Sequence, residues 1–176
     1  MPEPIEITNM KKNSKDREYV LNTVKENGKL LEFADEGLKD DREIAIEAVK
    51  NNAEALEFVS DRLKGDREIV YSSVSRLGWT YCYAKENLLT DKKLLLSGLE
   101  ITGQILYFAH PKLRDDKDVV LKAVQNKGII VKYASERLRD DKDVALEAMK
   151  QSPKCYIFLG DKIKQDEDVK ALLPDK

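Results

Sequence analysis

The chain has 176 residues, 41% hydrophobic and 36% charged, so one ordinary core can form without a disulfide or metal staple. Its 31 Lys and Arg against 33 Asp and Glu leave a net charge of −2, which excludes a whole-molecule basic field of the kind that gathers nucleic acid. No stretch approaches the ~20 apolar residues of a membrane span, and the opening MPEPIEITNM lacks the basic and apolar regions of a signal peptide. The expectation is a soluble, cytoplasmic protein, with secretion by a signal-less route left open.

In chain order, residues 1–15 read as an N-terminal cap or extension, with Asn13 standing where every later copy carries Leu or Ile. From Asp16 a 25-residue period begins: Asp16, Asp41, Asp66, Asp91, Asp116, Asp141 and Asp166 recur without insertion or deletion. We number the unit 1 to 25 from that Asp, so that six full copies occupy residues 16–165 and a partial seventh, residues 166–176, reads as a C-terminal capping helix. The fold class that follows is an all-α solenoid of six two-helix repeats forming a single elongated domain.

Within each unit, apolar residues at positions 4, 5, 6, 8 and 9 predict helix A, and the acid three residues after position 25, as in Asp40-x-x-Glu43, predicts that the position-25 Asp caps it. Gly28, Gly78, Gly103 and Gly128 at position 13 predict a left-handed C′ residue that stops it. Helix B is expected from about position 14 to 21, with aromatic residues at position 18 (Phe33, Phe58, Tyr83, Phe108, Tyr133, Phe158) as packing. One such pair cannot bury its own apolar face, so stacking must supply the core.

The unit, written L-[KR]-D-D-[KR]-[DE]-V-x-L-x-A-V-x-x-x-G-x-x-[LV]-x-[FY]-A-S-E-x-L, is clearest in Leu113 to Leu138 (LRDDKDVVLKAVQNKGIIVKYASERL) and resembles domain-of-unknown-function family 4116 over roughly residues 15–170. The fourth unit departs most, with Thr90-Asp91-Lys92-Lys93 for the acidic cap and His110-Pro111 for Ser-Glu. The resemblance implies the helical repeat and a bacterial, viral or protist setting; it implies no catalytic residue.

Chemistry-bearing groups are few. His110 is the sole histidine, Cys82 and Cys155 have no metal spacing, and the Asp-Asp pairs recur where helix capping requires them, so no catalytic residue, metal or cofactor is expected. A basic ladder at position 2, with more Lys and Arg at positions 22 and 24, offers a nucleic-acid alternative through Arg67, Lys112, Arg114, Lys117, Arg137, Arg139 and Lys142. The Asp ladder on the same edge argues instead for a salt-bridged rim.

Departures from the internal consensus point to a partner surface. Positions 14 and 17, which share a helix face, become Trp79, Cys82, Tyr107 and Ile129 in repeats 3 to 5, with Tyr71 or Tyr81 nearby. This charge-poor, aromatic column predicts a protein-interaction module, scaffold or effector, with a monomer and a homodimer both open.

Overall fold

The computed structural model describes residues 4–174 and divides into two compact units, Met1–Leu88 and Leu89–Lys176. All regular secondary structure among the described residues is helical. The first unit holds a helix at Ile5–Lys12 and repeats 1 to 3; the second holds repeats 4 to 6 and the short helix Glu167–Lys170.

Each repeat has three helical pieces, where the sequence predicts two. Repeat 2 shows the pattern: an α-helix at Arg42–Asn51, a 3-10 helix at Ala53–Phe58 and a 3-10 turn at Leu63–Gly65. Repeat 5 has Lys117–Asn126, Gly128–Tyr133 and Glu136–Arg139, the last piece being a single α-turn. Helix B is thus six residues of 3-10 helix at positions 13 to 18, not an α-helix running to position 21. So short a segment gains little from α geometry, and its tighter turn seats positions 15 and 16 in the core while positions 14 and 17 eclipse one another outside.

The apolar pattern explains the packing. In repeat 2, Ile44, Ala45, Ala48 and Val49 of the α-helix are buried against Ala53, Ala55 and Leu56 of the 3-10 helix. Within each unit the α-helices stack on α-helices and the 3-10 helices on 3-10 helices, giving two rows that share one core. Repeat 3 places hydroxyls at two buried positions, and they satisfy one another: Ser73 Oγ lies 2.7 Å from the Ala53 carbonyl oxygen and 2.7 Å from Thr80 Oγ1, which donates to Leu77 O.

The α-helix cap is the position-1 Asp and not its position-25 neighbour. Asp41 accepts from the amides of Glu43 and Ile44, and Asp141 from those of Asp143 and Val144. The position-25 Asp acts on the next repeat. Asp40 receives Ser60 Oγ and Arg62 Nε, Asp115 receives Ser135 Oγ and Arg137 Nε, and Asp140 accepts from the amides of Lys162 and Ile163. Where repeat 3 has Thr90 in that place, His110 of repeat 4 caps its own turn, its Nδ1 accepting from Lys112 N.

The position-13 glycines are not left-handed: no described glycine has a positive φ. They are there for closeness. A Cβ on Gly28 or Gly128 would overlap the carbonyl oxygen of Ala48 or Ala148 in the following α-helix, and one on Gly103 would stand 2.6 Å from that of Ala123.

One backbone bond per repeat joins neighbours, from the position-20 amide to the preceding position-24 carbonyl. Ser60 donates to Lys39 O at 3.1 Å, Lys85 to Lys64 O at 3.1 Å, Ser135 to Arg114 O at 2.9 Å and Gly160 to Arg139 O at 2.9 Å. Position 11 adds a side-chain clamp. Asn51 Oδ1 accepts from Gly28 N at 2.8 Å while its Nδ2 donates to Lys25 O, and Asn126 accepts from Gly103 N at 3.1 Å.

Candidate interaction surface

The two edges singled out by the sequence behave differently. On the charged edge, every position-2 cation but Arg67, whose next repeat carries Lys93 at position 3, is held by the position-1 and position-3 acids of the next repeat. Arg17 lies 2.7 Å from Asp41 and 2.6 Å from Glu43; Lys92 lies 2.8 Å from Asp116 and 3.0 Å from Asp118. Lys117 pairs with Asp141 and Asp143, and Lys142 with Asp166 and Asp168. The hydrogen-bonded acids hold the Arg17 and Lys117 cations above their ordinary range.

The remaining members of the nucleic-acid set, Lys112 excepted, are also engaged or folded inward. Arg137 is bonded to Asp115, Arg139 reaches Glu136 at 3.9 Å, and the guanidinium of Arg67 sits 5.9 Å from the Tyr71 ring centroid. Arg114 and Arg139 both bury Nε without a hydrogen-bond partner. Lys112 is exposed.

The 3-10 row carries the aromatic surface, and three residues per turn align positions 14 and 17 along it. In the first unit, Trp79 is 37% exposed and meets Tyr83 edge-on at 5.6 Å. Cys82 beside it is half-buried, and burial raises its thiol pKa. Tyr83 is pushed up to about 12 by burial and then by the Glu57 carboxylate it bonds.

Two of the predicted residues do not belong to this face. Tyr81 is fully buried, because position 16 is a core position in repeats 1 to 5 (Leu31, Leu56, Leu106, Val131), and that row is the signal that identifies it. Tyr71 is exposed but stands on the α-helix row, lining a shallow groove with Lys50 and Arg76.

In the second unit, Tyr107 is 56% exposed and Phe108 43%, so position 18 is not simply packing. Tyr107 contacts Phe108 at 5.0 Å and Tyr133 at 5.1 Å between ring centroids. These rings line a groove of about 440 Å³ together with Lys127, half-buried Ile129 and Lys132. Lys132 Nζ caps Tyr133 at 4.8 Å and reaches Phe158 at 5.8 Å, and Ile157 beside it is 70% exposed. Phe108, Lys132, Tyr133 and Ile157 are additions to the predicted set; the sequence signal for them is the same position-17 and position-18 rows carried one repeat further.

Against known proteins, the model of the family described as a domain of unknown function (DUF4116) matches residues 16–64, 41–89, 66–114, 91–139 and 116–164. The chain belongs to this family. Each match to DUF4116 spans about two repeats and begins on a position-1 Asp; the first contains the Arg17 to Asp41 ion pair, the Asn51 clamp and the Ser60 to Lys39 backbone bond. No curated protein and no solved structure matches the chain.

Burial pushes the Cys155 thiol up to about 11, and His110 Nδ1 is occupied as a cap. No helix among the described residues is long and apolar enough to cross a membrane.

Proposed function

We propose that the chain is a non-catalytic repeat module that binds another protein through the 3-10 face of repeats 3 to 5. The observation that carries this reading is the groove of the second unit, lined by exposed Tyr107 and Phe108 and by Ile129. Rigid aromatic side chains flanked by aliphatic ones are the residues that dominate protein interface cores, and a surface of this kind outside an interface is costly to keep wet. Trp79 and Tyr83 supply the equivalent aromatic pair in the first unit. The same face has diverged among copies while the position-1 Asp and the position-2 cation of the joints recur in every one, as expected when joints hold the stack and the face serves a partner.

Nucleic-acid binding along the charged edge is the weaker reading. Cations already shared between two carboxylates have few counterions to release, which is the main source of such affinity. Retention on heparin that falls steeply with salt would revive it.

The test is affinity capture from the native cell with the wild-type chain and with Tyr107→Ala/Ile129→Ala, alongside thermal unfolding of both. The expected result is a captured protein lost by the variant, with an unchanged midpoint. Equal capture by both would overturn the proposal.

A further inference from the structure

The outward positions of the 3-10 row carry opposite charge in the two units, with Lys11 and Lys64 reaching the Phe33 and Tyr83 rings of the first from neighbouring segments. At positions 12, 14, 17 and 18, repeats 1 to 3 bear Glu32, Glu54 and Glu57 against a single Lys29, which is itself paired with Glu54. Repeats 4 to 6 bear Lys127, Lys132 and Lys154 and no carboxylate at those positions. The asymmetry extends to the whole units: residues 1–88 contain 14 Lys and Arg against 18 Asp and Glu, and residues 89–176 contain 17 against 15. Among the described residues, Lys127, Lys132 and Lys154 make no ion pair, whereas the position-2 cations Lys92, Lys117 and Lys142 in the same unit each make two.

A face with several like charges and no neutralising partner is relieved by a surface of opposite sign, and such complementarity fixes register as well as attraction. The acidic face has a property that an arbitrary acidic protein lacks. Both faces are built on the same 25-residue unit, so their charged rows repeat at the spacing of the same stacked 3-10 helices. Each also has an apolar component: Tyr107, Phe108 and Ile129 on the basic face, and Trp79 with half-buried Phe33 and Phe58 on the acidic one.

From this we infer that the basic 3-10 face of one chain docks the acidic 3-10 face of a second copy. The contact is heterologous, two different patches meeting. The inference rests on the reading of this face as a protein-binding surface and names its partner.

Sedimentation velocity across micromolar to millimolar concentration tests it. The wild-type chain is expected to associate at low ionic strength, with about tenfold weaker association at ~0.5 M salt as screening shortens the range of the charges. Lys127→Glu/Lys132→Glu and Glu32→Lys/Glu57→Lys are each expected to be monomeric alone and to associate when mixed, since each retains the face the other has lost. Should either double variant fail to fold, Lys127→Glu and Glu32→Lys, both at exposed positions, replace them.

A wild-type chain that stays monomeric throughout overturns the inference, as do variants that associate as well as wild type. A mixture that remains monomeric does the same, because each variant supplies the face the other lacks, and so does one double variant that still associates alone, which marks a contact of one face with itself. If the wild type is monomeric and Tyr107→Ala/Ile129→Ala still loses a captured protein, only the identity of the partner falls and the protein-binding reading stands.

Discussion

Arg42 reaches from the start of one α-helix to Asp66 at the start of the next, 2.9 Å away, while the same carboxylate accepts from the amides of Glu68 and Ile69. One side chain therefore ends a helix and joins two repeats. The two roles differ in strength. Losing an N-cap costs about 1 kcal/mol, up to about 2, whereas an exposed ion pair contributes little. Asp66→Ala is expected to lower the unfolding free energy by about 1–2 kcal/mol in urea titration, and Arg42→Ala by clearly less. Equal losses would mean that the ion pair, and not the cap, holds the joint.

Acid should loosen the array through these groups. Burial opposes ionisation of Asp41, Asp66, Asp116 and Asp141, but the facing Arg or Lys and the capped amides outweigh it and hold each below the usual carboxylate range. Asp40 and Asp115 are lowered by Ser60 and Ser135 first, then by Arg62 and Arg137. A carboxylate lowered on folding contributes stability that is present above its unfolded pKa, about 3.9, and is lost as pH falls through the folded value. Thermal midpoints should be flat from about pH 5 to 7 and fall below about pH 4. A midpoint that rises on acidification would contradict this.

Glycine at position 13 is a matter of space. Gly128→Ala would drive a methyl into the Ala148 carbonyl and is expected to cost about 1–3 kcal/mol, the usual range for overpacking. At Gly37, on an exposed turn, the nearest atom to an added Cβ is Asp35 Oδ1 at 3.4 Å. Gly37→Ala should therefore stabilise by about 0.4–1 kcal/mol by restricting the unfolded chain. The contrast in sign, read by chemical denaturation, separates contact from conformational freedom.

Asn51 closes the joint between repeats 1 and 2 with bonds in both directions. Asn51→Ala leaves the buried Gly28 amide without its acceptor, a loss of about 1–3 kcal/mol. Amide hydrogen exchange at Gly28 should speed up accordingly, with repeats 5 and 6 unaffected. Unchanged exchange at Gly28 would show that another group satisfies it.

Cys155 offers a probe of opening. With its thiol fully buried and pushed up to about 11, it should react with a thiol reagent at neutral pH only as fast as repeat 6 opens, and more slowly than half-buried Cys82. Immediate reaction of both would place repeat 6 among the frayed parts of the chain.

The period, the helical class and the apolar rows were legible because packing writes itself at fixed spacing, position 9 as Val24 and Val49, position 23 as Leu63 and Leu88. The roles of the paired acids were not. Asp40 and Asp41 have equal claim to a cap by composition; Asp41 takes the amides of Glu43 and Ile44, and Asp40 takes Ser60 and Arg62 from 20 and 22 residues away. Helix B was misjudged for a related reason: six residues with apolar pairs fit either helical geometry, and neighbour stacking selects the tighter one. In the candidate surface, Trp79 and Tyr107 stood out as breaks in a row, while Phe108 was hidden by belonging to one. Tyr81 has the chemistry of an interface residue but sits in the position-16 row, which buries it.

The backbone bond from position 20 to the preceding position 24, the clamp at position 11 and the ion pair at position 2 all connect a residue to its counterpart environment one unit away. The array is therefore quantised in length. Excising residues 116–140 would present Lys92 with Asp141 and Asp143 in place of Asp116 and Asp118, a junction of the same chemistry. Removing a single residue anywhere between two joints would instead put all three links out of phase at once. Members of such a lineage can lengthen or shorten by whole copies with little penalty, and their variation in substitution is free to collect on the outward row that the joints never touch.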